Sequence, residues 1–137
     1  MTRAHDASVL ARIREVPQLV DTVFDGDVKG QPQRYVNVHS NRGIAAPDRL
    51  TGGQPTRIRK TIWVHSVGAS KSQADGVAEK VIGQLRGYTL TVPGWTCEPI
   101  THEASEPVQK DDSRQPVLFY GVDQFDFYSS PATTEGA

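Results

Sequence analysis

The sequence predicts a single α+β domain. A chain of 137 residues, about a third of them apolar, can bury one modest core and is too short for two ordinary domains. The stretch "TRIRKTIWVHSV" alternates apolar and polar positions as a half-buried strand does. The residues after it, "SKSQADGVAEKVIGQLRG", switch to the 3.6-residue spacing of an amphipathic helix.

The elements follow in order. In "HDASVLARIREVPQLVD", Val9, Leu10, Ile13 and Val16 share one helical stripe, Asp6 or Ser8 can serve as N-cap, and Pro17 cannot continue the ladder. Val23 and Phe24 lead into an Asp25-Gly26 turn, and Tyr35 to His39 alternate as a strand with Val36 and Val38 facing the core. From Asn41 to Pro55 three glycines and two prolines leave no sustained period, so the sequence predicts a long contact loop. The next strand places Ile58, Ile62 and Val64 on one face and Arg57, Arg59, Thr61, Trp63 and His65 on the other. Ser70 with Gln73 forms a capping-box pattern, Ala74, Val77, Ala78, Val81, Ile82 and Leu85 make the helix stripe, and Gly87 stands where a helix closes. "YTLTVPGWTCEPITHE" reads as two short strands about Pro93-Gly94, "ASEPVQKDDSRQ" as a polar loop, and "PVLFYGVDQFDFYSS" as a long closing strand with aromatics on both faces. The domain is expected over 1–128, with "SSPATTEGA", 129–137, a disordered tail for want of apolar content.

Charge is unevenly distributed. Arg34 to Lys60 holds six basic residues against Asp48, whereas Glu98 to the C-terminus holds eight acids against Lys110 and Arg114. The basic residues lack the interleaved aromatics that stack single-stranded bases, which argues against a nucleic-acid surface. No apolar run approaches the ~20 residues of a membrane span and the start lacks a signal-peptide pattern, so a soluble, cytosolic product is expected at synthesis. The single Cys97 reads as a small apolar residue.

The sequence presents no catalytic, cofactor-binding or metal-binding set. His5, His39, His65 and His102 lie in different elements without HxxxH or HExxH spacing. A metal site would need His39, His65 and a carboxylate to meet in space. GxSxG, GxxxxGK[ST] and GxGxxG are absent, and "LTGGQPT" has no following helix to hold a phosphate. Asp111-Asp112 reads as a solvated turn, and Trp63 and Trp95 as packing groups.

The order of features is itself informative: a short helix, "VFDG", the strand "PQRYVNVHS", a long loop, "RIRKTIWVHSVGASKSQADGVAEKVIGQLRG", and a late Asp before an aromatic-rich strand. From Leu10 to Tyr128 this order resembles the tail terminator (tail completion) proteins of long-tailed bacteriophages. The resemblance implies a mainly antiparallel β-sheet with two helices packed on one face, each subunit part of a hexameric ring. It also implies no enzymatic activity and no cofactor. Such a ring caps the head-proximal end of the tail tube, ends tube polymerisation and joins the tail to the neck. The implied partners are further copies of the chain, the tail tube protein and a head–tail connector or stopper, with DNA passing through the lumen without sequence-specific binding. The implied location is the virion, and the host cytoplasm during assembly. A head-to-tail ring needs two complementary surfaces, and the charge skew offers Arg42, Arg49, Arg57, Arg59 and Lys60 on one side and Asp111 and Asp112 on the other. The alternatives are another neck component, a small metal-dependent hydrolase, or a nucleic-acid-binding module with a continuous basic face.

Overall fold

The structure, a computed structural model, describes residues 2–30, 32–41, 44–46, 57–113 and 117–131. Helix α1 (Thr2–Arg14) leads through a 3-10 turn at Pro17–Leu19 to strands β1 (Val23–Asp25), β2 (Tyr35–Ser40), β3 (Ile44–Ala46) and β4 (Arg57–Gly68). Helix α2 (Lys71–Leu85) follows, then β5 (Trp95–Cys97), β6 (Thr101–Ser105), β7 (Gln109–Asp111) and β8 (Leu118–Pro131). The fold is α+β, and among the described strands only the β1–β2 pairing is parallel.

The two long strands β4 and β8 pair over eleven positions, from Ile58↔Ser129 to Gly68↔Phe119, and form the spine of the sheet. Strands β2 and β3 share the free edge of β4, and β1 lies beyond β2. The other edge of β8 is filled by three short strands in turn, β5 at its C-terminal end, β6 in the middle and β7 at its start. Pro99 and Pro107 separate these three, because proline cannot donate to a ladder.

Both helices cover one face. Val36, Val38, Ile62, Val64, Phe125 and Phe127 point into a core that α1 closes with Val9, Ile13 and Val16 and α2 with Val77, Val81 and Leu85. The helices clasp each other at their ends: Arg12 Nε donates to the Gln84 carbonyl (2.9 Å) and Gln84 Nε2 donates to the Arg12 carbonyl (2.8 Å). The expected caps of α2 are present. Gln73 N donates to Ser70 Oγ (3.1 Å), Ala69 N donates to Gln73 Oε1 (2.7 Å), and Gly87 adopts φ +79° just past the helix. At the other end, a Cβ on Gly68 would lie 2.7 Å from Ala74 N, so glycine lets the helix start directly on the sheet.

Several expectations need correction. Helix α1 starts upstream of Asp6, which therefore sits inside the helix and caps nothing. The predicted strand before Pro93 is absent; Leu90 and Val92 are buried outside any ladder, and Pro93-Gly94 makes a turn closed by Trp95 N donating to the Val92 carbonyl (3.0 Å). The polar segment "ASEPVQKDDSRQ" contains β7 and the end of β6. Within the expected loop Asn41–Pro55, residues 44–46 form β3, and 42, 43 and 47–55 lie outside the described residues. Strand β8 runs to Pro131, and 132–137 also lie outside the described residues.

Candidate functional site

The face of the sheet opposite the helices is the surface available for recognition. Strand alternation and register place on it Tyr35, Asn37 and His39 from β2, Trp63, His65 and Val67 from β4, and Tyr120, Val122 and Gln124 from β8. It has three zones along the strand direction.

At the first end, Tyr35, Val67 and Leu118 form a second small cluster with Phe24, Val28 and Tyr120 packed against it. Beside it opens a pocket of ≈ 390 Å³ rimmed by Lys110 and Asp111. Asp111 Oδ1 accepts hydrogen bonds from Ser113 N (3.1 Å) and Ser113 Oγ (2.6 Å), closing the turn after β7. Asp112 is exposed and pairs with Lys110 (3.5 Å).

In the middle zone His39 and His65 meet, with ring centroids 5.1 Å apart and planes at 66°. They are diagonal neighbours, because Asn37 is opposite His65 and His39 is opposite Trp63. Gly26 N, in the turn after β1, donates to Asn37 Oδ1 (2.8 Å) and so orients that amide with Nδ2 toward His39 Nε2 (3.4 Å). The basicity of His65 is lowered, first by burial and then by His39, with Glu106 acting in the opposite sense. Trp63, 38% exposed, flanks the pair.

At the far end Arg57 is held by Glu98 (Nε–Oε2 3.1 Å, and a second guanidinium nitrogen to Oε1 at 3.2 Å) and lies 3.8 Å above the Tyr128 ring. Arg59, opposite Tyr128 in register, is exposed.

The expected contact residues thus fall into different environments. Arg57 and Arg59 lie at one end of the sheet and Asp111 and Asp112 at the other, while Arg42 and Arg49 lie outside the described residues. Lys60 corrects the expectation outright: it is fully buried on the helix-covered face, paired with Asp6 (2.9 Å) and donating to the Asn41 carbonyl. Its position, even-numbered like Ile58 and Ile62, directs it inward whatever its charge.

The remaining histidines are occupied elsewhere. His5 is buried against Trp95 and within 2.9 Å of Ser129 Oγ, and His102 contacts the buried Asp123 (2.9 Å) while stacking on Phe125. Among the described residues no group of three or more His, Cys, Asp or Glu side chains could hold a metal ion, so His39 and His65 meet without a completing carboxylate. Among the described residues no helix is long and apolar enough to cross a membrane. The proximity of the two histidines was hidden in the sequence, which places both on the outer face and leaves the register open.

No family model matches the chain, and no curated protein matches it significantly. Solved structures do. A chain from the virion of a native gene transfer agent particle aligns with TM-score 0.67 and 15% identity over 90% of this chain and 92% of that chain. A second solved chain aligns with TM-score 0.62 and 16% identity over 97% of this chain and 96% of that one. The likeness runs nearly end to end in both directions, so this chain has the same fold as a chain of a virion particle.

Proposed function

We propose that this chain is a structural virion protein that caps the head-proximal end of a phage tail tube as a homo-hexameric ring. In that position it ends tube polymerisation and joins the tail to the neck connector. The end-to-end fold likeness to a virion chain is the observation that carries this reading, and the sequence resemblance to tail terminators points the same way. The charge placement supports it. Asp111 pairs with Leu118 at the start of β8, and Arg59 pairs with Tyr128 near its end. At about 3.3 Å per residue those ends lie about 30 Å apart. One subunit therefore offers an acidic end and a basic end to different neighbours, as a head-to-tail ring requires.

Electron microscopy of tails made with and without the protein tests the role. Over-long tails that fail to join heads are expected in its absence; tails of normal length would refute the terminator reading. A normal-length tail that still cannot attach a head would point instead to a neck stopper. Reversing Arg59 to Glu should leave the fold intact, weaken ring or tube assembly and lower its salt sensitivity, whereas reversing Arg57 as well would also break its pair with Glu98. Unchanged assembly across a salt series would remove this end of the sheet from the interface.

A further inference from the structure

We propose that His39 and His65 form a two-imidazole site for a divalent transition-metal ion of the zinc, nickel and copper class. This site does not depend on the virion role. Two imidazole nitrogens bound to one tetrahedral ion at about 2.0–2.1 Å put the ring centres about 5 Å apart. The observed separation is 5.1 Å, with the planes turned 66° from each other rather than stacked. Both side chains rise from a rigid base, since β4 pairs with β2 on one side and β8 on the other.

Because Gly26 N fixes the Asn37 amide, Asn37 Nδ2 faces His39 Nε2, so the two atoms can bond in the tautomer whose lone pair is on Nε2. That contact, 3.4 Å, is at the long limit of a hydrogen bond and is displaced by a metal at little cost. The pair offers nitrogen without carboxylate, which suits zinc, nickel or copper and excludes the oxygen-seeking magnesium and calcium. Two protein ligands leave the other coordination positions to water or an incoming group.

Calorimetric titration of the full chain with Zn²⁺, Ni²⁺ and Mg²⁺ tests this. One Zn²⁺ or Ni²⁺ per chain and no Mg²⁺ are expected. His39→Gln and His65→Gln should each weaken binding by more than the ~10-fold typical of losing an outer-shell partner. Cu²⁺ should quench Trp63, and Trp63→Phe should remove most of that quenching while Trp95 continues to emit. Neither histidine is in the helix-covered core, so an unchanged urea midpoint serves as the check that each variant folds. Absence of Zn²⁺ and Ni²⁺ binding, or binding undiminished in the double variant, would overturn the proposal.

Discussion

The buried pair of Lys60 and Asp6 makes a directional prediction. The Lys60 side chain is 0% exposed and that of Asp6 26%, with 2.9 Å between the charged atoms. Asp6→Ala removes the countercharge and leaves the ammonium with the neutral Asn41 carbonyl in a dry site. Losing one partner of a buried pair costs about 3–5 kcal/mol. Lys60→Met removes the buried charge itself. Asp6 then keeps the Ser40 hydroxyl (2.8 Å) and its share of water, so the cost falls to about 1.5–3 kcal/mol, that of a hydrogen bond to a charged group. With a urea slope of about 2 kcal/mol/M, Asp6→Ala should lower the midpoint by about 2 M and Lys60→Met by about 1 M. The double variant should be more stable than Asp6→Ala alone, because no orphan ammonium remains. If Lys60→Met proved the more damaging change, or Asp6→Ala left the midpoint in place, the pair would not be anchoring α1 to the sheet.

Other measurements probe the packing and the outer face. Gly68→Ala forces a Cβ to within 2.7 Å of the Ala74 backbone nitrogen and should cost about 1–3 kcal/mol, whereas Gly76→Ala, with open space around it, should gain about 0.5–1 kcal/mol in the same urea assay. Leu85→Ala, at a fully buried position, should cost about 2–5 kcal/mol, and an unchanged midpoint would mean that α2 is not seated on the sheet. His65 in the fold lies below its ordinary value of 6.5. As pH falls through that value the unfolded chain gains a proton that the folded chain resists, so stability should decline as the pH is lowered below ~7. His65→Gln should flatten that slope in part; an identical slope would mean that the folded protein protonates His65 as readily as the unfolded chain.

Elements whose pattern is local were readable, and elements whose existence depends on a partner were not. Helix α2 was visible from Ser70, Gln73 and Gly87, because stripe and caps sit within one stretch. Strand β4 was visible because Ile58, Ile62 and Val64 alternate with Arg57, Arg59, Thr61, Trp63 and His65 within one stretch. By contrast "QKD" of β7 has no strand character of its own and is extended because β8 supplies its hydrogen bonds. Lys60 shows a different failure: alternation placed it inward and charge suggested outward, and the alternation prevailed because Asp6, on the helix above, neutralises it. The His39–His65 meeting needed the β2–β4 register, which no local pattern encodes.

The partition of the molecule bears on how copies can associate. The sheet face beneath the helices is committed to the core, down to the buried His5 and Lys60, so that face itself offers no partner a surface. What remains for association is the outer face of the sheet, its ends and the exposed sides of the helices, and of these the ends carry opposite charges. A two-fold pairing that superimposed the same end of each subunit would bring Asp111 and Asp112 toward their own copies, or Arg59 toward its own, and like charges in contact are repulsive. Joining the basic end of one subunit to the acidic end of the next removes that repulsion and repeats indefinitely, so it generates a ring when the rotation between subunits closes. Arg57 already has Glu98 and the Tyr128 ring as partners, whereas Arg59 is exposed on the outer face. Within this arrangement Arg59 is thus the side chain better placed to reach the neighbour's acids, and Arg57 the one that stiffens the edge it projects from.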